Sequence, residues 1–569
     1  VLESHGVLIT PELQKEEKEA VDNRKPQVVM SLNKLGIKAD EAPVIAVLGS
    51  GGGLRAHFAC LGVLIEMKNH GLLDVITYLA GVSGSTWALS SFYTNSGNMD
   101  LIEADLEHRF EPENWSVRES LQKTIEVASL ENYSLTDFWA YVVISRQTRE
   151  FQGSLLSSMK KHVEKGTLPY PIFAAIDNDL HDDWKDHKTQ KSWFEFTPHH
   201  AGYPALQAYI PITQLGSQFE NGRLVKSAPE RDLSFLRGQY GSNGIWGGMI
   251  TEETAVDEAL LELMVAYIKD EKDPSIQEKL QALQQILDGP TLMSSFSSLK
   301  ALCPHAVMLH VRGFTIGLKG MGTHLIPQDS PSTCQFFPLA TIWDILAFLA
   351  KTVKCIWNWE WGTIHNFLHQ HHDEDMCSRK LLHLVDAGLA INSPYPLLLP
   401  PAREVQLILS FDFSDGDPFE TVRATADYCH HHKIPFPLVK EADLKEWAEA
   451  PTSCYILKGE SGPMVMHFPL FNKDNCGDEI NTWREKYGTF KLSDTYSVQV
   501  VKDLLEKSKE NVRKNKEKII RTIKEVVGHP NTSVIHDCLR EPVPNSETSF
   551  ESQTQKIRYV LSKLWYPPL

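Results

Sequence analysis

Between residues 44 and 94, glycines punctuate the apolar segments. Val44 to Leu48 is a continuous apolar run ending at Gly49, the length and kind of segment that a strand buried on both faces requires. Ala56 to His70 has helical character, and Gly71 follows it as a C-terminal cap. Thr77 to Val82 predicts a second short strand, and Ser85 to Thr94 the helix beyond it. Strand, glycine loop, helix, strand, tight turn and helix make a parallel α/β unit. Both loops should then lie at the carboxyl edge of one sheet.

Further along, strand character returns at Pro171 to Ile176, Leu381 to Val385, Val405 to Phe411 and Cys454 to Leu457. From about Trp193 to Asp375 the strand signal weakens, turns multiply and an acidic helical piece runs from Glu252 to Leu287. This predicts a cap or lid insertion at about 193–375 in a body spanning 41–540. Residues 1–40 form a charged, helix-prone leader, and 541–569 a C-terminal tail. Val501 to Val527 is a lysine-rich helix. The expected fold class is α/β, with a central, mostly parallel sheet flanked by helices.

Composition narrows the function. A chain of 569 residues with 42% hydrophobic content can bury a large core. Its formal net charge of −17 argues against a nucleic-acid partner, which needs a basic face. The nine cysteines are odd in number and lack C-x-x-C spacing, as expected of reduced thiols in the cytoplasm. Val1 to Lys18 has no apolar core of a secretory signal, so the sequons at Asn114 and Asn132 carry no weight. No uncharged apolar run reaches membrane-spanning length; Phe336 to Trp361 comes nearest and is broken by Pro338, Asp344, Lys351 and Lys354.

Two loops carry candidate chemistry. Gly49-Ser50-Gly51-Gly52-Gly53-Leu54-Arg55 opens a helix and presents free backbone N–H groups at the positive end of its dipole. Its glycines do not follow G-x-G-x-x-G, and no Walker lysine-serine pair follows, so an oxyanion hole fits better than a nucleotide site. Gly81-Val82-Ser83-Gly84-Ser85 places Ser83 on a strand-to-helix turn, where a hydroxyl stands exposed as a nucleophile. Arg55 is a candidate for binding phosphate or the oxyanion, against a plain solvent-facing helix arginine. Asp386, followed by Ala387-Gly388, is a strand-end carboxylate, readable either as a base or as a turn cap. A Ser–Asp–His triad would draw on His430, His431, His432, His467 or His529, none of which lies in a motif. Neither histidine cluster has zinc-site spacing, so no metal is expected.

In this order, glycine loop, elbow and strand-end aspartate resemble those of the cytosolic (group IV) phospholipases A2, relatives of the patatin-type lipid acyl hydrolases. Further matching blocks are Pro169-Tyr170-Pro171-Ile172-Phe173, Trp193-Phe194-Glu195-Phe196-Thr197-Pro198, Trp359-Glu360-Trp361-Gly362-Thr363, Ser410-Phe411-Asp412-Phe413 and His467-Phe468-Pro469-Leu470. The resemblance implies a serine–aspartate dyad without histidine: Ser83 as nucleophile, Asp386 as base, and Gly52 and Gly53 as oxyanion donors. Arg55 would hold substrate phosphate, and Arg403 falls where the family has a second active-site arginine. Also implied are phospholipid and lysophospholipid substrates, lysophospholipase and transacylase side activities, no cofactor, and peripheral contact with intracellular membranes. Only 48 residues precede Gly49, too few for a calcium-dependent lipid-binding module, so calcium-independent action is expected. Two departures stand out. Ala387 replaces the Ser or Gly of several relatives, and the end Trp565-Tyr566-Pro567-Pro568-Leu569 lacks a prenylation box.

Membrane contact would then fall to surface features. Ile342, Ile345, Leu346, Leu349 and Val353 form a helical stripe among tryptophans, readable as an interfacial helix or as core. The lysines of 507–524 are readable as a headgroup-binding face or as a solvated one. Two rival readings remain open: a triad-bearing α/β hydrolase, and an inactive lipid-binding homologue.

Overall fold

The computed structural model describes residues 6–240 apart from 111–116, 131, 186 and 188; residues 348, 351, 352 and 355; and 362–528 apart from 372–374 and 489–495. All of these belong to one compact unit, Val1–Pro530. The interfacial stripe, the acidic piece Glu252–Leu287, His529 and the tail 541–569 fall outside the described residues, except that Phe348 is described and buried.

The strands in chain order begin with β1 (Leu8–Ile9), β2 (Ile45–Gly49), β3 (Tyr78–Gly81), β4 (Tyr170–Asp177), β5 (Trp193–Phe196), β6 (His200–Tyr203) and β7 (Ala208–Pro211). They continue with β8 (Gln218–Glu220), β9 (Arg223–Lys226), β10 (Thr363–His365), β11 (Leu381–Asp386), β12 (Leu407–Asp412), β13 (Tyr455–Leu457) and β14 (Met464–Pro469). Twelve form one sheet in the order β1-β7-β6-β5-β4-β3-β2-β12-β14-β13, with β11 also paired to β4 and β10 to β11; β8 and β9 make a separate hairpin.

The sheet is mixed. Its parallel block is β14-β12-β2-β3-β4, and its other pairings are antiparallel. All five residues of β2 and all six of β12 are buried, which is why β2 reads as an unbroken apolar run; β12 is apolar except for Ser410 and Asp412. Residues 193–211, expected within the insertion, instead supply β5, β6 and β7 and extend the sheet. Each is four residues long, and they include His200, Gly202 and Pro211, too little alternation to announce a strand. The leader is likewise part of the fold. β1 pairs with β7, and α1 (Lys15–Lys34) buries Ala20, Val21, Val28 and Leu32.

Register along β4 fixes the centre of the molecule. Phe173 pairs with both Gly81 of β3 and Phe196 of β5, so these two strands lie on opposite flanks. Ala175 pairs with both Phe194 of β5 and Asp386 of β11. β11 therefore shares the β3 flank and runs towards it. The two strands meet nearly end to end, with Gly81 level with Phe173 and Asp386 level with Ala175. Ser83, two residues beyond Gly81, is delivered to the tip of β11.

Two helices start at this edge: α2 (Gly53–Asn69) after β2, and α3 (Gly84–Thr94) after β3. The long helix Val498–Gly528 lies across α2, and at Gly62 the approach is close enough that a Cβ would collide with Ser508. Val501, Leu504, Leu505, Val512, Ile519 and Ile523 bury its apolar stripe. Much of its basic face meets acids of the body: Lys502 pairs with Glu107 at 3.2 Å and Arg513 with Glu66 at 3.0 Å, and Lys509 pairs with Glu103.

Candidate active site

Ser83 occupies the N-cap of α3 with φ 53° and ψ −127°, a backbone conformation that a side chain disfavours by roughly 1–3 kcal/mol. The turn is therefore held from outside. Gly81 packs against the first turn of α3, where a Cβ would stand 3.0 Å from the Ser85 carbonyl carbon. Ser85 Oγ donates to the Ser50 carbonyl at 2.6 Å and ties the elbow to the glycine loop. This is the strained strand-to-helix turn of a nucleophile elbow.

The glycine loop passes beside it. Gly52 (φ 145°) caps α2, and Gly53 (φ 56°) begins it; the first value suits glycine alone, and the second favours it. Among the described residues, neither the Gly52 nor the Gly53 N–H donates to a protein acceptor, as expected of the first amides of a helix. A Cβ on Gly51 would come within 3.0 Å of Ser83 Cβ, so the loop lies directly against the serine.

Asp386 completes the group. It is fully buried, and its Oδ1 accepts from the Gly388 N–H at 2.8 Å. Its Oδ2 forms no hydrogen bond of normal geometry. The Ser83 hydroxyl nevertheless lies close enough to act on it electrostatically. Burial pushes the Asp386 carboxyl up to about 7, while Ser83 and the Gly388 N–H pull it back down. At that value the carboxylate is both populated near neutrality and a far better base than a solvated aspartate.

Arg55 lies behind the loop, 4% exposed, not in solvent. Its Nε donates to the Phe413 carbonyl at 2.6 Å and its Nη1 to the Tyr487 carbonyl at 2.8 Å; Nη2 stands 3.9 Å from Asp415 Oδ1. A Cβ on Gly52 would lie 2.9 Å from Nη2, so the guanidinium backs the oxyanion loop.

Arg403 is placed elsewhere. It precedes β12, at the opposite end from the catalytic edge, and stacks over Tyr78, the first residue of β3, at 5.9 Å. Glu17 of α1 accepts from its Nε at 2.8 Å and Glu195 of β5 from its Nη1 at 2.8 Å. With both prongs on buried carboxylates, Arg403 locks α1 to the sheet and is a strand's length from Ser83. The expectation of an active-site arginine there is corrected. Tripeptide context could not warn of this, because Glu17 lies 386 residues away in sequence.

The histidines of a triad are also elsewhere. His430, His431 and His432 end the helix Glu420–His432. His467 is buried in β14 and donates through Nε2 to the Pro418 carbonyl at 2.6 Å, with burial lowering its pKa to about 4. Among the described residues, no histidine bonds Ser83 or Asp386.

One residue at the site was not singled out from the sequence. Asn392 accepts from the Gly51 N–H at 3.1 Å through its carbonyl, and its side-chain amide donates to the Gly51 carbonyl at 3.4 Å. Its place six residues after Asp386, in the loop that returns to β12, was the available hint.

Comparison with known proteins places the chain in a family. Residues 45–251 match the family model of the lysophospholipase catalytic domain. The chain is 56% identical to cytosolic phospholipase A2 gamma of Mus musculus over 93% of this chain and 94% of that one. It is 52% identical to the Homo sapiens protein of that name over 94% and 99%. The fold is similar to that of human GIVD cytosolic phospholipase A2, with a TM-score of 0.64 and 22% identity over 93% of this chain and 69% of that chain. The same enzyme in complex with methyl gamma-linolenyl fluorophosphonate aligns with a TM-score of 0.58.

Proposed function

We propose, for a chain that belongs to the cytosolic phospholipase A2 family and hydrolyses phospholipids, that catalysis runs through an acyl-Ser83 intermediate with Asp386 as its base and no histidine. The observation that carries this is the end-to-end approach of β3 and β11, which brings a strained serine and a buried carboxylate together beside two undirected amides.

Ser83 Oγ attacks the ester carbonyl carbon as its proton passes to Asp386 Oδ2. The Gly52 and Gly53 N–H groups take the charge that develops on the carbonyl oxygen, and Arg55 adds positive potential from behind. Collapse expels the lysophospholipid alkoxide, which takes the proton from Asp386. Water repeats the sequence on the acyl-serine, with Asp386 accepting its proton, and releases the fatty acid. A lysophospholipid hydroxyl in place of water gives transacylation.

We further infer calcium-independent action, since no step needs a metal. Peripheral contact with the cytosolic face of membranes fits the relatives' names and the absence, among the described residues, of a helix long and apolar enough to cross a membrane.

The test measures fatty-acid release from mixed phospholipid vesicles by the intact protein, by Ser83→Ala and by Asp386→Asn. Both variants should fold and be inactive. Retained turnover in either removes the dyad. Replacing His430, His431, His432, His467 and His529 one at a time should leave turnover standing; a single one that abolishes it restores the triad. Fluorophosphonate labelling of Ser83 excludes the inactive homologue.

A further inference from the structure

Within the glycine loop the Ser50 hydroxyl donates to the Gly51 carbonyl at 3.3 Å, a long bond that leaves the loop dependent on its neighbours. Gly51, Gly52 and Gly53 have no side chains, and backbone of this kind is freely mobile unless its neighbours pin it. Most of its support comes from the end of β12. Ser50 N donates to the Phe411 carbonyl at 3.1 Å, and Phe413 N returns a bond to Ser50 Oγ at 2.7 Å. Beyond Ser50, the Gly51 peptide is gripped on both sides by Asn392, as described above.

One half of the grip, the Gly51 N–H on the Asn392 main-chain carbonyl, is independent of the side chain; the other half, the bond to the Gly51 carbonyl, depends on which way the Asn392 amide faces. Turned over, it would present its oxygen to the Gly51 carbonyl and repel it. The Asn392 Nδ2 also donates to Ser414 Oγ at 2.9 Å, and Ser414 Oγ donates to Asp412 Oδ1 at 2.8 Å. A hydroxyl that donates to a carboxyl has only lone pairs left for Asn392. Asp412 thereby fixes the direction of every bond in the chain.

Asp412 is buried at the carboxyl end of β12, in a block of sequence that the dyad leaves without a task. Its Oδ2 has no hydrogen-bond partner of normal geometry. Arg55 and Arg484 are the cations that face it, with the hydroxyls of Ser50, Ser414 and Tyr395 around it.

We propose that Asp412 is a positioning residue for acyl transfer. Acting through Ser414 and Asn392, it holds the glycine loop where the Gly52 and Gly53 amides meet the oxyanion. This rests on the acyl-Ser83 reading. The amides bind charge that exists only in the transition state, so losing their placement lowers kcat and spares KM. A misplacement of about 1 Å costs roughly 100-fold.

The test uses the intact protein and monomeric palmitoyl lysophosphatidylcholine, with thermal melts to confirm folding. Asp412→Ala should lower kcat about 10- to 100-fold with KM within twofold. Asp412→Asn keeps an acceptor for Ser414 and should recover to within threefold of the parent. Ser414→Ala should match Asp412→Ala, and the double variant should be no worse than either. A kcat for Asp412→Ala within twofold of the parent overturns the proposal. So does an Asp412→Asn as impaired as the alanine variant, which would assign the effect to charge. Should Asp412→Ala fail to fold, Ser414→Ala against Asp412→Asn decides by the same criteria. Ser83→Ala, run alongside, separates the two readings: activity there sinks the acyl-serine mechanism, whereas its loss with a normal Asp412→Ala sinks only the positioning role.

Discussion

Gly84 lies against the Gly53 carbonyl so closely that a Cβ at position 84 would collide with the oxygen, the carbon and the Cα of that residue. The nucleophile turn and the oxyanion loop therefore touch backbone to backbone, with no side chain between them. Gly84→Ala must push the loops apart, because no flexible side chain can yield instead. At least a 100-fold loss of kcat is expected, with a lower melting temperature. Normal turnover by Gly84→Ala would show that this contact does not set the catalytic distance.

The Asp386 carboxyl, raised to about 7, dictates the acid limb of activity. Only the ionised form can take the serine proton, so kcat/KM should fall about tenfold per pH unit below that value. A profile flat from pH 5 to 8 would contradict it.

Stability should run the other way. The folded pKa lies above the ordinary 3.8, so the folded state holds the Asp386 proton more tightly than the unfolded chain does. Stability is complete below about pH 4 and declines as pH rises through 7. Asp386→Asn removes that decline, by on the order of 4 kcal/mol above pH 8. Melting curves at pH 5 and 8 should show the inactive variant gaining on the parent as pH rises. A constant difference would refute the assignment.

Arg403→Met leaves Glu17 and Glu195 buried without their cation, a change that costs about 3–5 kcal/mol. The melting temperature should drop sharply, while the folded fraction keeps near-parental KM. Adding Glu17→Gln and Glu195→Gln should restore part of the stability. A raised KM with unchanged melting would return Arg403 to substrate binding.

Chelation of calcium should leave fatty-acid release from phosphatidylcholine vesicles within twofold, since the proposed chemistry uses side chains and amides alone. A tenfold fall on chelation, reversed by added calcium, would refute that.

What the sequence determined by itself is local. The glycines after Leu48 end a strand and open a loop, Gly81-Val82-Ser83-Gly84 favours a sharp turn, and the runs at 44–48 and 405–411 are apolar enough to be buried strands. These follow from sterics and solvent exclusion within a few residues. Tertiary structure decided how those pieces meet. Nothing in Leu381 to Asp386 says that β11 runs against β4 and points at Ser83, because strand direction is set by pairing with distant residues. Nothing around Arg403 names Glu17, nor does anything around Asp412 name Asn392. The proton affinity of Asp386 is likewise absent from its neighbours in sequence. It arises where some three hundred intervening residues fold to exclude water from one carboxyl group.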